Sequence, residues 1–310
     1  MLAAKKASEL RSNFSGKTRE NFPIKRLTTF KVGGLADVVL EADTNEKLIE
    51  ALGLIRKLKL NYFVIAGGSN LVFADKGFRG VVVHYTAEKI RLLANRGSST
   101  VMVDAGCSLG KLVRYSAAKN LGGFDFLANI PGSVGGGVVG NAGCYGKSIG
   151  EYVVAVKVFD MKNGKEKVLA PKQLKFSYRN SLCKTKPEWI VMEVELKIVP
   201  VKKLVVLKAI EAERMERWRK HPHQPSAGSF FKNIDGQPTW KLIDGVGLRG
   251  KRIGGARVSA KHPNFLVNIG GAKAGDVSAL MKVVQKAVQR EYHLRLEPEV
   301  RMVNELGVVK

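Results

Sequence analysis

Residues 130–146 read Ile-Pro-Gly-Ser-Val-Gly-Gly-Gly-Val-Val-Gly-Asn-Ala-Gly-Cys-Tyr-Gly, and seven of these seventeen are glycine. The stretch has too few side chains to build a core and no charge to make it a solvated linker. Glycine is required where φ is positive or where backbone must touch something else. Successive bare N–H groups form concavities that bind anionic oxygens. The segment therefore reads as a loop of backbone laid against a large anionic ligand. The competing reading is a glycine-rich surface loop, although such loops favour Ser, Asp and Lys over Val and Ala.

A second feature sharpens the ligand reading. Tyr62-Phe-Val-Ile-Ala66 is a short apolar run with the pattern of a buried strand, and it ends abruptly in Gly67-Gly68-Ser69-Asn70. A strand running into this tetrapeptide offers backbone N–H groups and two short polar side chains in one turn, which suits a pyrophosphate. It is not the dinucleotide fingerprint, because no G-x-G-x-x-G opens a helix here. Taken alone, a plain β-turn has the same sequence.

Composition bounds the remaining choices. A length of 310 residues suggests two or three domains. Lys and Arg number 52 against 27 Asp and Glu, a formal charge of +25. This invites a nucleic-acid reading. Yet the excess is spread along the chain, with only short clusters at Lys5-Lys6, Lys202-Lys203 and Arg217-Trp-Arg-Lys220. No long block of like charge marks an interaction tail. A basic surface also steers anionic small molecules, and a general compositional bias would look the same. Cys107, Cys144 and Cys183 are odd in number and far apart, so they form neither a metal spacing nor a disulfide framework. They read as reduced residues of a cytoplasmic protein. His221-Pro-His223 lacks nearby carboxylate or thiolate ligands, so no metal site is expected. The N-terminus has no apolar leader, and no run of about 18 apolar residues would span a membrane.

Periodicity organises the chain as α+β. Residues 1–25 are polar and read as a frayed or loosely docked lead-in. Thr28 to Leu40 reads as two short strands broken by Gly33-Gly34. Asn45 to Lys59 is an amphipathic helix with Thr44 as its N-cap. Strands are expected at 62–66, 80–85 and 101–105, and a helix at 109–120. Val153–Asp160 and Glu166–Leu169 form a hairpin about Asn163-Gly164. Trp189 to Val199 is a further strand. Lys202 to Lys220 is a charged helix with Leu204, Leu207, Ile210 and Met215 inward. Gly275 to Tyr292 is a second long helix, and Glu297 to Val303 a closing strand. A boundary near residue 200 separates a first part, divisible near 90, from a smaller second one.

Three short pieces carry candidate chemistry. In Phe176-Ser-Tyr-Arg-Asn-Ser181, Arg179 could clamp a carboxylate or phosphate through its planar fork, or be a surface turn residue. In Pro225-Ser-Ala-Gly-Ser-Phe-Phe-Lys-Asn233, Ser229 could exchange a proton while Lys232 and Asn233 hold an anion. The alternative is a tight turn into a buried strand. In Leu296-Glu-Pro-Glu-Val-Arg301, strand alternation puts Glu297 and Glu299 on one face, where paired carboxylates could do acid–base work. A solvated edge strand would read the same.

In combination these motifs resemble the UDP-N-acetylenolpyruvoylglucosamine reductases (UDP-N-acetylmuramate dehydrogenases), the flavoenzymes of bacterial peptidoglycan synthesis. The resemblance runs from Thr29-Phe-Lys-Val-Gly-Gly34 to Glu297-Pro-Glu-Val-Arg301. It keeps the order Gly-Gly-Ser-Asn, Ile-Pro-Gly-Ser-Val-Gly-Gly, Asn-Ala-Gly-x-Tyr-Gly, Tyr-Arg-x-Ser, Ser-Ala-Gly-Ser-Phe-Phe-Lys-Asn, Gly-Gly-Ala and Asn-Phe-x-x-Asn. It implies a vanillyl-alcohol-oxidase-type (PCMH-type) FAD-binding domain of two α+β subdomains, residues 26–90 and 91–200. A C-terminal α+β substrate domain, 201–310, would follow. FAD would be held non-covalently by Gly67, Gly68, Ser69 and Asn70 at its pyrophosphate. Pro131, Gly132, Ser133, Val134 and Gly135, with Asn141, Ala142 and Gly143, would line the rest. NADPH would reduce the flavin, and flavin N5 would deliver a hydride to C3 of the enolpyruvyl ether of UDP-N-acetylglucosamine. By the same resemblance Ser229 falls on the proton donor to C2, and Arg179 and Glu299 on the residues that stabilise the intermediate. Lys232, Asn233, Arg301 and His262 would be further substrate contacts. The implied setting is cytoplasmic precursor synthesis for the cell wall, serving cell shape and division, by a monomer.

Some positions depart from the pattern. Ala66 stands where glycine is frequent, Ile234 where proline is, and Pro263 where alanine is. Ser229 follows Arg179 by only 50 positions, too few for the tyrosine-bearing insert of the longer form, so the chain resembles the shorter form. Two other readings remain. A sugar or lactone oxidoreductase on the same flavin fold would share the glycine loops without needing Arg179, Ser229 and Glu299 together. A basic nucleic-acid-binding protein would bind with a steep salt dependence and has no use for that set.

Overall fold

A computed structural model describes residues 2, 4–95, 98–234 and 236–307; residues 1 and 3 of the expected lead-in and 308–310 of the C-terminal segment lie outside them. Three sheets carry the architecture. The first has four strands in the order Lys17–Pro23, Leu35–Ala42, Phe78–Tyr85, Tyr62–Ile65. Its first pair is antiparallel and the other two are parallel. The parallel strands are joined through the helix Asn45–Lys57, which buries Leu48, Ala51, Leu52 and Ile55. Thr44 caps that helix by accepting a bond from the Lys47 N–H at 3.2 Å, satisfying one of the donors that a helix start leaves free.

The second sheet has five antiparallel strands in the order Lys165–Leu169, Val153–Asp160, Trp189–Lys197, Ser98–Asp104, Ile90–Asn95. The Asn163-Gly164 hairpin is present, with Gly164 at φ +73°. Strand Ile90–Asn95 was not expected from the sequence. The third sheet is antiparallel, in the order Ser226–Ser229, Phe265–Asn268, Ala256–Val258, Arg252–Ile253. Helix Ala274–Tyr292 covers it with buried Val277, Leu280, Val284 and Val288. The chain then returns: Arg301–Val303 pairs in parallel with Leu71–Phe73. This pairing brings the C-terminal segment back to the tetrapeptide that follows the strand Tyr62–Ile65.

Four sequence expectations are corrected. The lead-in is not loose: Ala4–Asn13 is helical, Lys17–Pro23 is a sheet strand, and Leu10, Phe14 and Ile24 are buried. Between Thr28 and Leu40 only the second half is a strand, because Gly33 (φ +129°) and Gly34 run against the turn at 74–77. A Cβ on Gly34 would sit 2.2 Å from the Asp75 carbonyl oxygen. The glycine-rich stretch is not all loop, since Val134–Val139 is a short helix. The Ser133 hydroxyl caps it by accepting from the Gly136 N–H at 3.1 Å. Gly135 lies so close to Ala105 that a Cβ would come within 2.7 Å of the alanine's. Tertiary contact thus outweighs poor helix propensity. Finally, helix Lys203–Lys220 buries Val206 and packs Ile210, whereas Leu204, Leu207 and Met215 are exposed. It lies over the outside of helix Leu109–Ala118 and the turn at Asp125–Leu127, so only a narrow stripe is covered. No helix among the described residues is long and apolar enough to cross a membrane.

Candidate active site

Two loops meet backbone to backbone, Gly67 against Gly132 and Ser133. A Cβ on Gly67 would lie 2.9 Å from Gly132 Cα, and one on Gly132 would lie 2.8 Å from Ser69 Oγ. Gly68 adopts φ +57° with its α-carbon against Leu27, where a Cβ would be 1.9 Å from the carbonyl oxygen. Only glycine meets these demands. Among the described residues the N–H groups of Gly68, Ser69 and Asn70 have no acceptor in the protein. Such a row of free donors calls for an external anion.

The loops form one wall of a cavity of about 1010 Å³. Gly67, Gly68, Ser69, Asn70, Pro131, Gly132, Ser133, Gly135, Ala142 and Gly143 line it. Val134 does not, being fully buried behind the wall. Asn141 is also turned away. Its amide donates to the Ser177 carbonyl at 2.9 Å and accepts from the Gly150 N–H at 3.0 Å, which anchors the turn before Arg179. Gly136 and Gly140, one helical turn apart, line the cavity, and a Cβ on either would meet nothing closer than 3.3 Å. That surface is bare for something other than protein to approach.

Arg179 occupies a two-residue turn, Tyr178–Arg179, closed by reciprocal backbone bonds of 3.1 Å between Ser177 and Asn180. Its φ of +53° is left-handed, a conformation unfavourable to a residue with a Cβ. The Arg179 Nε lies 2.8 Å from Glu299 Oε1. The N–H direction misses the oxygen, so the contact is an ion pair without a linear hydrogen bond. The backbone explains how Glu299 arrives there. Its N–H donates to the Phe230 carbonyl at 2.9 Å, and the Asn70 amide donates to the Glu299 carbonyl at 3.1 Å. The Arg301 N–H donates to the Asn70 carbonyl at 3.0 Å. Three distant segments are thereby pinned together: the tetrapeptide, Ser229-Phe230, and Glu299–Arg301.

Ser229, Arg179, Glu299 and Arg301 all line the cavity. Lys232, Asn233 and His262 do not. Lys232 pairs with the exposed Glu297. Asn233 accepts from the Thr239 N–H at 3.1 Å at the start of helix Thr239–Gly245. His262 packs against His221 and Phe265, with ring centroids 5.4 and 4.9 Å away. Glu297 and Glu299 flank Pro298, which bridges Phe231, but they do not act as a carboxylate pair: the exposed Glu297 is bound to Lys232, while Glu299 is held against Arg179.

The electrostatics are lopsided. Among the lining residues, Arg179, Lys184, Arg214, Arg217 and Arg301 face a single carboxylate, Glu299. Burial pushes the Glu299 carboxyl above the usual range, against the opposing pull of Arg179, Lys184 and Lys232. Burial also holds Arg301 below its ordinary value. His221, another lining residue, is lowered to about 4 by burial and then by Arg217 and His262. Lys184, Arg214, Arg217, Trp218 and His221 were not read from the sequence as site residues, His221 being considered only as a metal ligand. The cluster Arg217-Trp-Arg-Lys220 and the adjacent His221-Pro-His223 were the signals nearest to them.

A large cavity with free backbone donors, bare glycine faces and excess positive charge fits a dinucleotide such as FAD. Comparison with known proteins agrees. Residues 36–170 match the family described as FAD binding domain, and residues 220–303 the C-terminal domain of UDP-N-acetylenolpyruvoylglucosamine reductase. The chain is 38% identical over 291 residues to the UDP-N-acetylenolpyruvoylglucosamine reductase of Caldanaerobacter subterraneus subsp. tengcongensis, covering 94% of this chain and 95% of the relative. The protein of the same name from Carboxydothermus hydrogenoformans is 37% identical, over 97% of this chain and 99% of the relative. The crystal structure of the Thermus caldophilus enzyme superposes with a TM-score of 0.76 at 34% identity, covering 93% of this chain and 98% of that one. This chain therefore belongs to the UDP-N-acetylenolpyruvoylglucosamine reductase family, FAD-containing, NADP-dependent oxidoreductases of peptidoglycan synthesis with an α+β fold.

Proposed function

We propose that this protein reduces the enolpyruvyl ether of UDP-N-acetylglucosamine to the lactyl ether, UDP-N-acetylmuramate, with electrons from NADPH. Residues 26–90 and 91–200 would hold FAD, and residues 201–310 the nucleotide sugar. One observation carries the reading: Arg179, Ser229 and Glu299, from three separate segments, line the same cavity as the two glycine loops. Gly67–Asn70 would hold the FAD pyrophosphate on their free N–H groups, with 131–135 and 142–143 along the rest of the cofactor. Bound FAD supplies the two electrons, accepted from NADPH and delivered with a hydrogen to C3 of the enol ether.

The chain's own residues manage the charge and the second proton. Addition at C3 leaves negative charge at C2, shared with the adjacent carboxylate. Arg179 and Arg301 oppose that charge with fixed cations in a partly dry cavity, where such interactions are stronger than in water. Glu299, with its carboxyl raised by burial, can hold a proton and donate a hydrogen bond to the developing anion. Ser229 then gives its hydroxyl proton to C2. A hydroxyl is a weak acid, so this transfer needs a strongly basic carbanion as acceptor, which C2 is. Ser229 recovers its proton from water. The lining of one chain contains every group this scheme uses, which supports a monomer. Its nucleotide substrates suit the cytoplasm.

Replacing Ser229 with alanine separates the halves of the reaction. Flavin reduction by NADPH is expected to persist, while reoxidation by the enolpyruvyl nucleotide slows by ~100-fold or more, the scale of a lost proton donor. Equal losses in both halves would make the serine structural and overturn its role.

A further inference from the structure

Lys184 sits on the short helix Leu182–Thr185, five residues beyond Arg179, and lines the cavity. Its Nζ donates to the Arg179 carbonyl oxygen at 2.9 Å. That carbonyl belongs to the residue whose left-handed backbone aims the guanidinium at Glu299. For a residue with a Cβ, left-handed backbone is unfavourable and persists only where neighbours hold it. The lysine is itself well anchored. Ser181, fully buried, donates its hydroxyl to the Val139 carbonyl at 2.9 Å, which ties this helix to the glycine-rich one.

The surroundings make Lys184 costly to keep as a cation. Burial, then Lys232 and Arg301, hold its pKa below the ordinary lysine value, while Glu299 and Glu297 pull the other way. Glu299 in turn faces Arg179, Lys184 and Lys232. An apolar side chain would fill the position without that penalty.

We propose that Lys184 is a positioning residue, one that latches the left-handed Arg179 against Glu299 by holding the Arg179 carbonyl oxygen. This rests on the reading of Arg179 and Glu299 as the pair that stabilises the reaction intermediate.

The test compares Lys184→Met and Lys184→Arg with the unaltered FAD-loaded protein. Two readouts are taken. One is anaerobic flavin reoxidation by the enolpyruvyl nucleotide across pH. The other is the infrared titration of the Glu299 carboxyl without substrate, identified by its loss in Glu299→Gln. With methionine, reoxidation slows by ~10- to 100-fold, as expected when a reacting group is misplaced by about 1 Å. The Glu299 carboxyl keeps its proton to higher pH, because Arg179 is no longer held against it. Arginine restores a cationic donor to the Arg179 carbonyl and returns the titration toward that of the unaltered protein. An unmoved carboxyl titration in Lys184→Met, or one that arginine fails to return, overturns the inference. If the unaltered protein is not reoxidised by the nucleotide but the carboxyl titration moves as described, the latch stands and the proposed reaction falls.

Discussion

The contact between the two glycine loops can be broken by a single methyl group. In Gly67→Ala the new Cβ would lie 2.9 Å from Gly132 Cα, 3.1 Å from its carbonyl carbon and 3.2 Å from the Ser133 nitrogen. Carbon atoms in contact prefer about 3.5–4.0 Å, so the loops must part by roughly 0.6 Å or more. All the crowding atoms are backbone, so no side chain can swing aside. An N–H···O bond of about 2.9 Å stretched by that amount leaves the hydrogen-bonding range. Each bond from a free loop N–H to a charged phosphate is worth about 1.5–3 kcal/mol. Losing one weakens FAD binding by ~10- to 100-fold. Gly136→Ala is the matched control, since its Cβ meets only Ser133 Oγ, at 3.3 Å, and otherwise enters the cavity. There the methyl group replaces a helical glycine, which favours the fold by roughly 0.5–1 kcal/mol. The assay is equilibrium FAD binding to the flavin-free protein by fluorescence, with thermal melting alongside. Gly67→Ala should lose both affinity and some stability, and Gly136→Ala affinity alone. A Gly67→Ala protein that binds FAD within about threefold of the unaltered one, well under the loss of one such bond, refutes the reasoning.

Two further predictions follow from the charges. Because burial raises the Glu299 carboxyl above its unfolded value, the folded state binds the extra proton, and stability falls as pH rises from the ordinary glutamate range through the raised value. Urea titrations should show this decline in the unaltered protein and its absence in Glu299→Gln, which should also slow reoxidation less than Ser229→Ala does if Arg179 carries most of the charge. His221 and His262 have the opposite sign: each is lowered from its ordinary 6.5 to about 4. Their contribution is present above 6.5 and lost as pH falls toward 4, so His262→Gln should flatten the acid side of a melting-temperature profile, and an unchanged acid slope would count against their burial.

Different parts of the molecule were legible for different reasons. The glycine loops were readable because glycine is selected for what it lacks: Gly67 and Gly68 sit where a Cβ would strike backbone, and Gly132, at φ +137°, where one would strike the Ser69 hydroxyl. Helix Asn45–Lys57 and its Thr44 cap were readable because both signals are local. Arg179, Ser229 and Glu299 were each plausible as residue types. Their convergence depends on the pairing of Arg301–Val303 with Leu71–Phe73, which no local pattern announces; the ordered motifs of the family supplied it. The polar composition around Lys5, Lys6 and Glu9 concealed Leu10 and Phe14, which are buried all the same. In helix Lys203–Lys220 the apolar residues are too many for one stripe, and periodicity placed Ile210 inward correctly but turned Leu204, Leu207 and Met215 inward where Val206 is. Lys184 was hidden because its importance lies in one bond to a carbonyl, made possible by a left-handed residue five positions earlier.

In the proposed reaction this cavity passes electrons from NADPH to the enolpyruvyl nucleotide through FAD. The visible absorption spectrum of the FAD-loaded protein, followed without air, tests it most directly. The flavin spectrum is expected to bleach on adding NADPH and to return on adding the enolpyruvyl nucleotide. A reduced flavin that returns only when oxygen is admitted would contradict it and assign the cavity to an oxidase.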